Sequence, residues 1–93
     1  MVLRSTVNRQ IKKREGFEVK IKRNGRVVNK NTQLPSYDRY EKALKGNKSV
    51  TFWKSNRFFT CFPGLEVEIL NANGKVARGK TRLSTVRDTY LDD

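Results

Sequence analysis

Gly16-Phe17-Glu18-Val19-Lys20-Ile21-Lys22-Arg23-Asn24-Gly25-Arg26-Val27-Val28 is the stretch whose pattern sets the fold class of this chain. Phe17, Val19 and Ile21 alternate with Glu18, Lys20 and Lys22, the period-two pattern of a strand with one buried face. Asn24-Gly25 follows with two residues that accept positive φ, which a type I′ turn requires. Val27 and Val28 then carry the return strand. The stretch predicts a β-hairpin.

The same plan recurs about 48 residues on. Gly64-Leu65-Glu66-Val67-Glu68-Ile69 repeats the strand, and Asn73-Gly74-Lys75-Val76-Ala77 repeats the turn and return after one inserted residue. Lys30, Thr32, Leu34 and Ser36 find counterparts in Lys80, Thr81, Leu83 and Ser84, and Val2, Asn8 and Arg9 in Val50, Asn56 and Arg57. An internal duplication is the expectation, with a basic unit over residues 1–47 and an aromatic, core-rich unit over 48–93. At 93 residues the two halves share one domain, since a chain this short buries only about 60–68% of its unfolded surface.

Ahead of each hairpin a second strand pair is expected. Val50 to Trp53 and Arg57 to Phe62 flank Lys54-Ser55-Asn56, while Leu3 to Val7 and Arg9 to Lys13 flank Asn8. A short helix is expected after the first hairpin. Ser36 caps it, Tyr37, Tyr40 and Leu44 share one face, and Gly46 ends it. Ser84 opens a similar segment holding Val86 and Tyr90 and ending in Asp92-Asp93. There the β-branched Thr85, Val86 and Thr89 leave strand as an alternative. The predicted class is α+β, mainly β: two related β-hairpin units with one or two short helices, with a small barrel-like sheet as one way to close them.

Composition restricts the chemistry. Lys and Arg number 21 against nine Asp and Glu, giving a net charge of +12 with no histidine. Without histidine there is no Ser-His-Asp or Cys-His arrangement, and the commonest zinc ligand is missing. The lone cysteine, Cys61, cannot form an intramolecular disulfide and suits a reducing compartment, so a cytoplasmic location is expected. Met1-Val2-Leu3-Arg4 has no apolar run behind it, so neither a secretory signal nor a membrane span is expected, and no membrane partner.

The charge is graded along the chain. Residues 1–34 carry ten Lys and Arg against two acids, residues 35–64 six against two, and residues 65–93 five against five. Solubility alone asks for a net charge of about 2–8 in a small domain. A positive face directed at a polyanion accounts for the excess.

The candidate nucleic-acid contacts in the first half are Arg9, Lys12, Lys13, Arg14, Lys20, Lys22, Arg23, Arg26 and Lys30. Arg23 and Arg26 flank the turn and are expected to lie opposite each other, where like charges destabilise a strand pair unless an anion separates them. A two-stranded ribbon can enter a major groove, and arginine at its tip can grip guanine or phosphate. In the second half, Phe58, Phe59 and Phe62 are expected in the core. Trp53, beside Lys54 and Arg57, is the candidate for stacking an unpaired base.

Enzymatic readings find little footing. Glu66 and Glu68 share a strand face and could join Asp88 around a metal, but outward glutamates on an amphipathic strand are ordinary. Cys61 has no histidine to activate it. Gly74-Lys75-Val76-Ala77-Arg78-Gly79-Lys80-Thr81 fits the letters of a phosphate loop without the buried parallel strand and long helix that such a loop joins. The expectation is a non-enzymatic protein without cofactor that binds the phosphate backbone of DNA or RNA through a basic β-ribbon. The alternative is a small regulator or inhibitor, of the kind phages and mobile elements carry, docking on an acidic protein or a nucleoprotein complex; association with ribosomes is a third reading.

Overall fold

The computed structural model describes residues 1–91, so the expected Asp92-Asp93 tail lies outside the described residues. Strand β1 (Val2–Leu3) runs directly into helix α1 (Arg4–Glu15). The two short strands expected on either side of Asn8 are therefore one helix. Val7, Ile11 and Glu15 recur every fourth residue and are the buried stripe of α1. A spacing of four satisfies both a strand's alternation and a helix's face, and the straight-chain Arg, Gln and Lys between them favour helix. Three cations in the last turn, Lys12, Lys13 and Arg14, complement the helix dipole, and Gly16 at φ 88° closes the helix in the left-handed region.

The hairpin follows as expected. Strand β2 (Glu18–Arg23) turns at Asn24 (φ 53°) and Gly25 (φ 78°) into β3 (Arg26–Val27), with Arg23 directly opposite Arg26. Strand β4 (Gln33–Leu34) then returns to pair antiparallel with β1.

Residues 35–48 hold neither helix nor strand, which corrects the helix expected after Ser36. The groups that would have built it are used elsewhere. The Tyr37 N–H donates to Gln10 Oε1 at 2.8 Å, the Leu44 N–H to Glu15 Oε1 at 3.0 Å, and Ser36 Oγ accepts from Gln10 Nε2 at 2.8 Å. Tyr37 is buried, and Tyr40 and Leu44 pack against the core as separate anchors of an irregular strap.

The second expected strand pair is also helical. Helix α2 (Val50–Trp53) passes through a π-helical turn (Lys54–Phe58) into α3 (Phe59–Cys61), one run over residues 50–61. Its buried residues explain the wide turn. Trp53 and Phe58 are five apart, and only a turn longer than 3.6 residues puts both on one face. Ser49 Oγ caps the run by accepting from the Phe52 N–H at 3.0 Å.

Strand β5 (Glu66–Leu70) pairs antiparallel with β2, giving the sheet order β3-β2-β5. Lys20 stands opposite Glu68, Val19 opposite Ile69 and Ile21 opposite Val67. Beyond β5 the return is a single bridge between Leu70 and Val76. Helix α4 (Leu83–Asp88) settles the last segment as helix, begun at Leu83 with no side-chain cap and with Ser84 inside it.

With about 33% helix and 22% strand the fold is α+β, but not mainly β. The strands form two separate antiparallel sheets rather than a closed barrel. Both halves feed one core. Phe17 meets Trp53 edge to face at 5.2 Å between ring centres, and Phe58 and Phe62 lie 4.9 Å apart. Each such fully buried ring contributes about 1.5–3 kcal/mol.

Several backbone hydrogen bonds occur in pairs across the two halves. The Arg4 N–H donates to the Thr32 carbonyl and the Val50 N–H to that of Thr81, both at 2.9 Å. The Ser5 N–H reaches the Lys30 carbonyl as that of Thr51 reaches Gly79, and the Val28 N–H reaches Ile21 as that of Ala77 reaches Ile69.

Candidate nucleic-acid interface

Helix α1 carries five cations, Arg4, Arg9, Lys12, Lys13 and Arg14, and one acid, Glu15. The acid is the residue that the helix turns inward. Its side chain is fully buried, with Arg57 Nη1 at 2.6 Å from Oε2 and Arg87 Nη2 at 3.2 Å from Oε1. Tyr37 Oη donates to Oε2 at 2.6 Å, and Trp53 Nε1 donates to Tyr37 Oη at 3.1 Å. Arg87 Nε also donates to the Glu15 carbonyl at 2.5 Å.

This network shapes the ionisation of its members. Burial opposes the Arg57 charge, but the hydrogen bond and charge of Glu15 outweigh it and hold the guanidinium above its usual range. At Arg87, with the longer contact, burial prevails and the shift is downward. Tyr37 is pushed far above its usual value, first by burial and then by the adjacent Glu15. With its acid drawn inside, α1 presents solvent with cations and no carboxylate of its own.

The remaining expected contacts are distributed as follows. Arg9 and Lys13 are exposed one turn apart; Arg9 Nη2 donates to Thr6 Oγ1 at 3.3 Å. Lys12 Nζ lies over the Tyr90 ring at 4.5 Å, and Arg14 Nη1 donates to the Glu41 carbonyl at 2.6 Å. Neither contact cancels the charge. Lys30 is exposed, and its carbonyl accepts the Ser5 N–H, which brings it to the first turn of α1. Arg23 and Arg26 are exposed at the hairpin tip.

Lys20 and Lys22 do not join these residues. They project from the outer face of the sheet, where β5 sets Glu66 and Glu68 beside them. Lys22 Nζ lies 2.9 Å from Glu68 Oε1, and that hydrogen bond first of all holds the Glu68 carboxyl below its usual range. Glu66 Oε1 accepts the Gly25 N–H at 3.1 Å. The outer face, with Glu18 included, carries three acids and two lysines. The ribbon is thus not a cationic surface in its own right: three acids share its outer face, Lys22 is paired with Glu68, and Lys20 is left exposed beside the same carboxylates.

Trp53 is fully buried, so it offers no face to a base, and its N–H partner is the Tyr37 hydroxyl rather than a ligand. Arg57 is committed to Glu15 and to the Lys42 carbonyl, and its guanidinium stacks 4.3 Å from the Tyr40 ring. Lys54, half-buried, opens the π-helical turn. Of these three second-half candidates none is a freely exposed contact.

Sequence reasoning passed over Glu15, Tyr37 and Arg87. The available signal was a lone acid ending the run Lys12-Lys13-Arg14-Glu15 four residues after Ile11, which puts it on the stripe with Val7 and Ile11. Cys61 is buried, and burial pushes its thiol up. The phosphate-loop letters over residues 74–81 run as a turn, a bridge and a segment whose Gly79 and Thr81 carbonyls dock on the start of α2. Among the described residues, no helix is long and apolar enough to cross a membrane.

No protein-family model matches the chain, and comparison with curated proteins and with solved structures finds no match.

Proposed function

We propose that this is a non-enzymatic nucleic-acid-binding protein of the cytoplasm that grips the phosphate backbone with the outer face of α1, Lys30 and the Arg23/Arg26 tip. The observation that carries the reading is the burial of Glu15. It leaves Arg9 and Lys13 exposed, flanked by Lys12 and Arg14, on a helix with no outward acid. Of the chain's 21 cations, three make ion pairs among the described residues: Lys22, Arg57 and Arg87. The rest add to a field that draws a polyanion. With four to six phosphates contacted, the log–log salt slope of binding is about −3 to −5. Titration of labelled single- and double-stranded DNA and RNA across a salt series tests it and names the preferred form.

The recurring hydrogen bonds and the Lys20–Glu68 pairing also support an internal duplication. These residues stand 48 apart, match in the repeat, and face each other across β2 and β5. That is the position a two-fold axis between two copies would occupy. The paired hydrogen bonds align Arg4 with Val50, so the second copy holds two more residues before Gly64 than the first holds before Gly16, one of them absorbed as the π-helical turn between Trp53 and Phe58; the matches of Val2, Asn8 and Arg9 with Val50, Asn56 and Arg57 are not kept in this alignment.

The exposed Phe59 favours the second reading, a regulator docking on an acidic protein or nucleoprotein, because interfaces draw on aromatic anchors. Stoichiometric capture of one protein, with free nucleic acid bound weakly in every form, would select it.

A further inference from the structure

We propose that the groove between the strap 42–48 and the helical run 50–61 binds one unpaired nucleotide, its phosphate on Lys42, Lys45 and Lys48 and its base against Phe52. This deepens the nucleic-acid reading and rests on it only for the source of the nucleotide.

The strap is irregular but held. The Lys42 and Leu44 carbonyls accept from Arg57 Nη1 and Arg87 Nη1, both at 2.8 Å. The Gly46 and Lys48 carbonyls accept the Ser84 and Leu83 N–H groups at 3.0 and 2.8 Å. Every second carbonyl from residue 42 to 48 is thus tied to the body of the fold. A Cβ at Gly46 would stand 2.9 Å from that of Ser84, so the strap lies as close to α4 as a bare backbone allows. Long irregular segments in compact domains are mostly either disordered or functional, and one pinned at four points is prearranged.

The groove beneath it encloses about 470 Å³, within the range of small-molecule sites, about 300–1,000 Å³. Lys42, Lys45, Lys48 and Arg57 line it, with no carboxylate among the described residues. Arg57 is occupied by Glu15, but the three lysines make no ion pair among the described residues. Leu44 and Phe52 supply apolar lining, and Phe52 is 38% exposed. The Lys48 Nζ sits over the Phe52 ring, 4.8 Å from its centre, so an arriving base displaces this ammonium from the ring and the phosphate receives it. Ring for the base and ammonium for the backbone is the pairing that holds unpaired nucleotides. Inorganic phosphate would leave the apolar lining unused.

The test is a two-dimensional NMR titration of the protein with adenosine 5′-monophosphate, adenosine, inorganic phosphate and a short 5′-phosphorylated oligodeoxythymidine. Adenosine 5′-monophosphate should move the amide signals of residues 42–48 and the Phe52 ring, with adenosine and phosphate each binding at least about tenfold more weakly. Phe52→Leu, at a partly exposed site that tolerates the change, should weaken the nucleotide about tenfold and leave phosphate unchanged. Lys45→Ser with Lys48→Ser should remove both. Movement of the same signals by the oligonucleotide at lower concentration identifies the nucleotide of a strand; movement by the mononucleotide alone identifies a free nucleotide. Strap signals that stay still with every probe, or a Phe52→Leu protein that binds the mononucleotide as tightly, overturn the proposal. Polymer binding with a silent strap would leave the α1 interface standing; mononucleotide binding without polymer binding would remove that interface and leave the groove.

Discussion

Arg57 Nη1 lies 2.6 Å from Oε2 of Glu15, joining two helices 42 residues apart in the chain. Removing the carboxylate by Glu15→Ala leaves Arg57 and Arg87 facing each other without it. A buried pair broken on one side loses about 3–5 kcal/mol, and the urea midpoint should fall accordingly. Lys75→Ala, at an exposed residue in no ion pair among the described residues, should stay within about 0.5 kcal/mol of the parent.

The Tyr37 hydroxyl links Glu15 to the Trp53 indole. Tyr37→Phe keeps the ring and strands the Trp53 N–H in the core. An unsatisfied buried donor costs about 1–3 kcal/mol, so the variant should fold with lowered stability and altered Trp53 fluorescence.

The tyrosines bear on alkaline stability. Tyr37, Tyr40 and Tyr90 are all raised, in each case first by burial. In the unfolded chain they titrate near their ordinary value of about 10. A raised folded pKa gives stability that is complete below that value and is lost as pH climbs above it. Tyrosinate absorbance should therefore lag behind a free-tyrosine titration and rise together with unfolding. A rise above pH 10 in a protein whose circular dichroism is unchanged contradicts the buried hydroxyl network.

At the acid end the sign reverses. Lys22 depresses Glu68, so their pair contributes above the unfolded value of about 4.3 and is lost as pH falls through the lower folded value. Glu68→Gln should flatten that part of the stability curve and leave the neutral region nearly level, since partly exposed pairs contribute little.

The hairpin was legible from local sequence because Asn24-Gly25 leaves few other conformations open, and the helical 83–88 segment was within the options Ser84 offered. The helices at 4–15 and 50–61 were not. Val7 and Ile11 fit two periodicities, and the five-residue step from Trp53 to Phe58 fits an α-helix only through a π-helical turn. Which cations pair depends on contacts distant in sequence. Nothing local to Lys22 announces Glu68, and nothing local to Arg57 announces Glu15. Trp53, placed by sequence beside a polar turn, ends α2 on its buried side, and the π-helical turn after it brings Phe58 to the same core.

On the proposed reading the outward cations of α1, and not the sheet face, hold the polyanion. The most direct measurement is fluorescence anisotropy with labelled DNA and RNA across a salt series, comparing the parent with Arg9→Glu/Lys13→Glu and with Lys20→Gln/Lys22→Gln. The expected result is a parent slope of about −3 to −5, a shallower slope and much weaker binding for the α1 variant, and nearly parent behaviour for the sheet variant. Loss of binding in the sheet variant with the α1 variant unchanged, or a complex indifferent to salt, would contradict it.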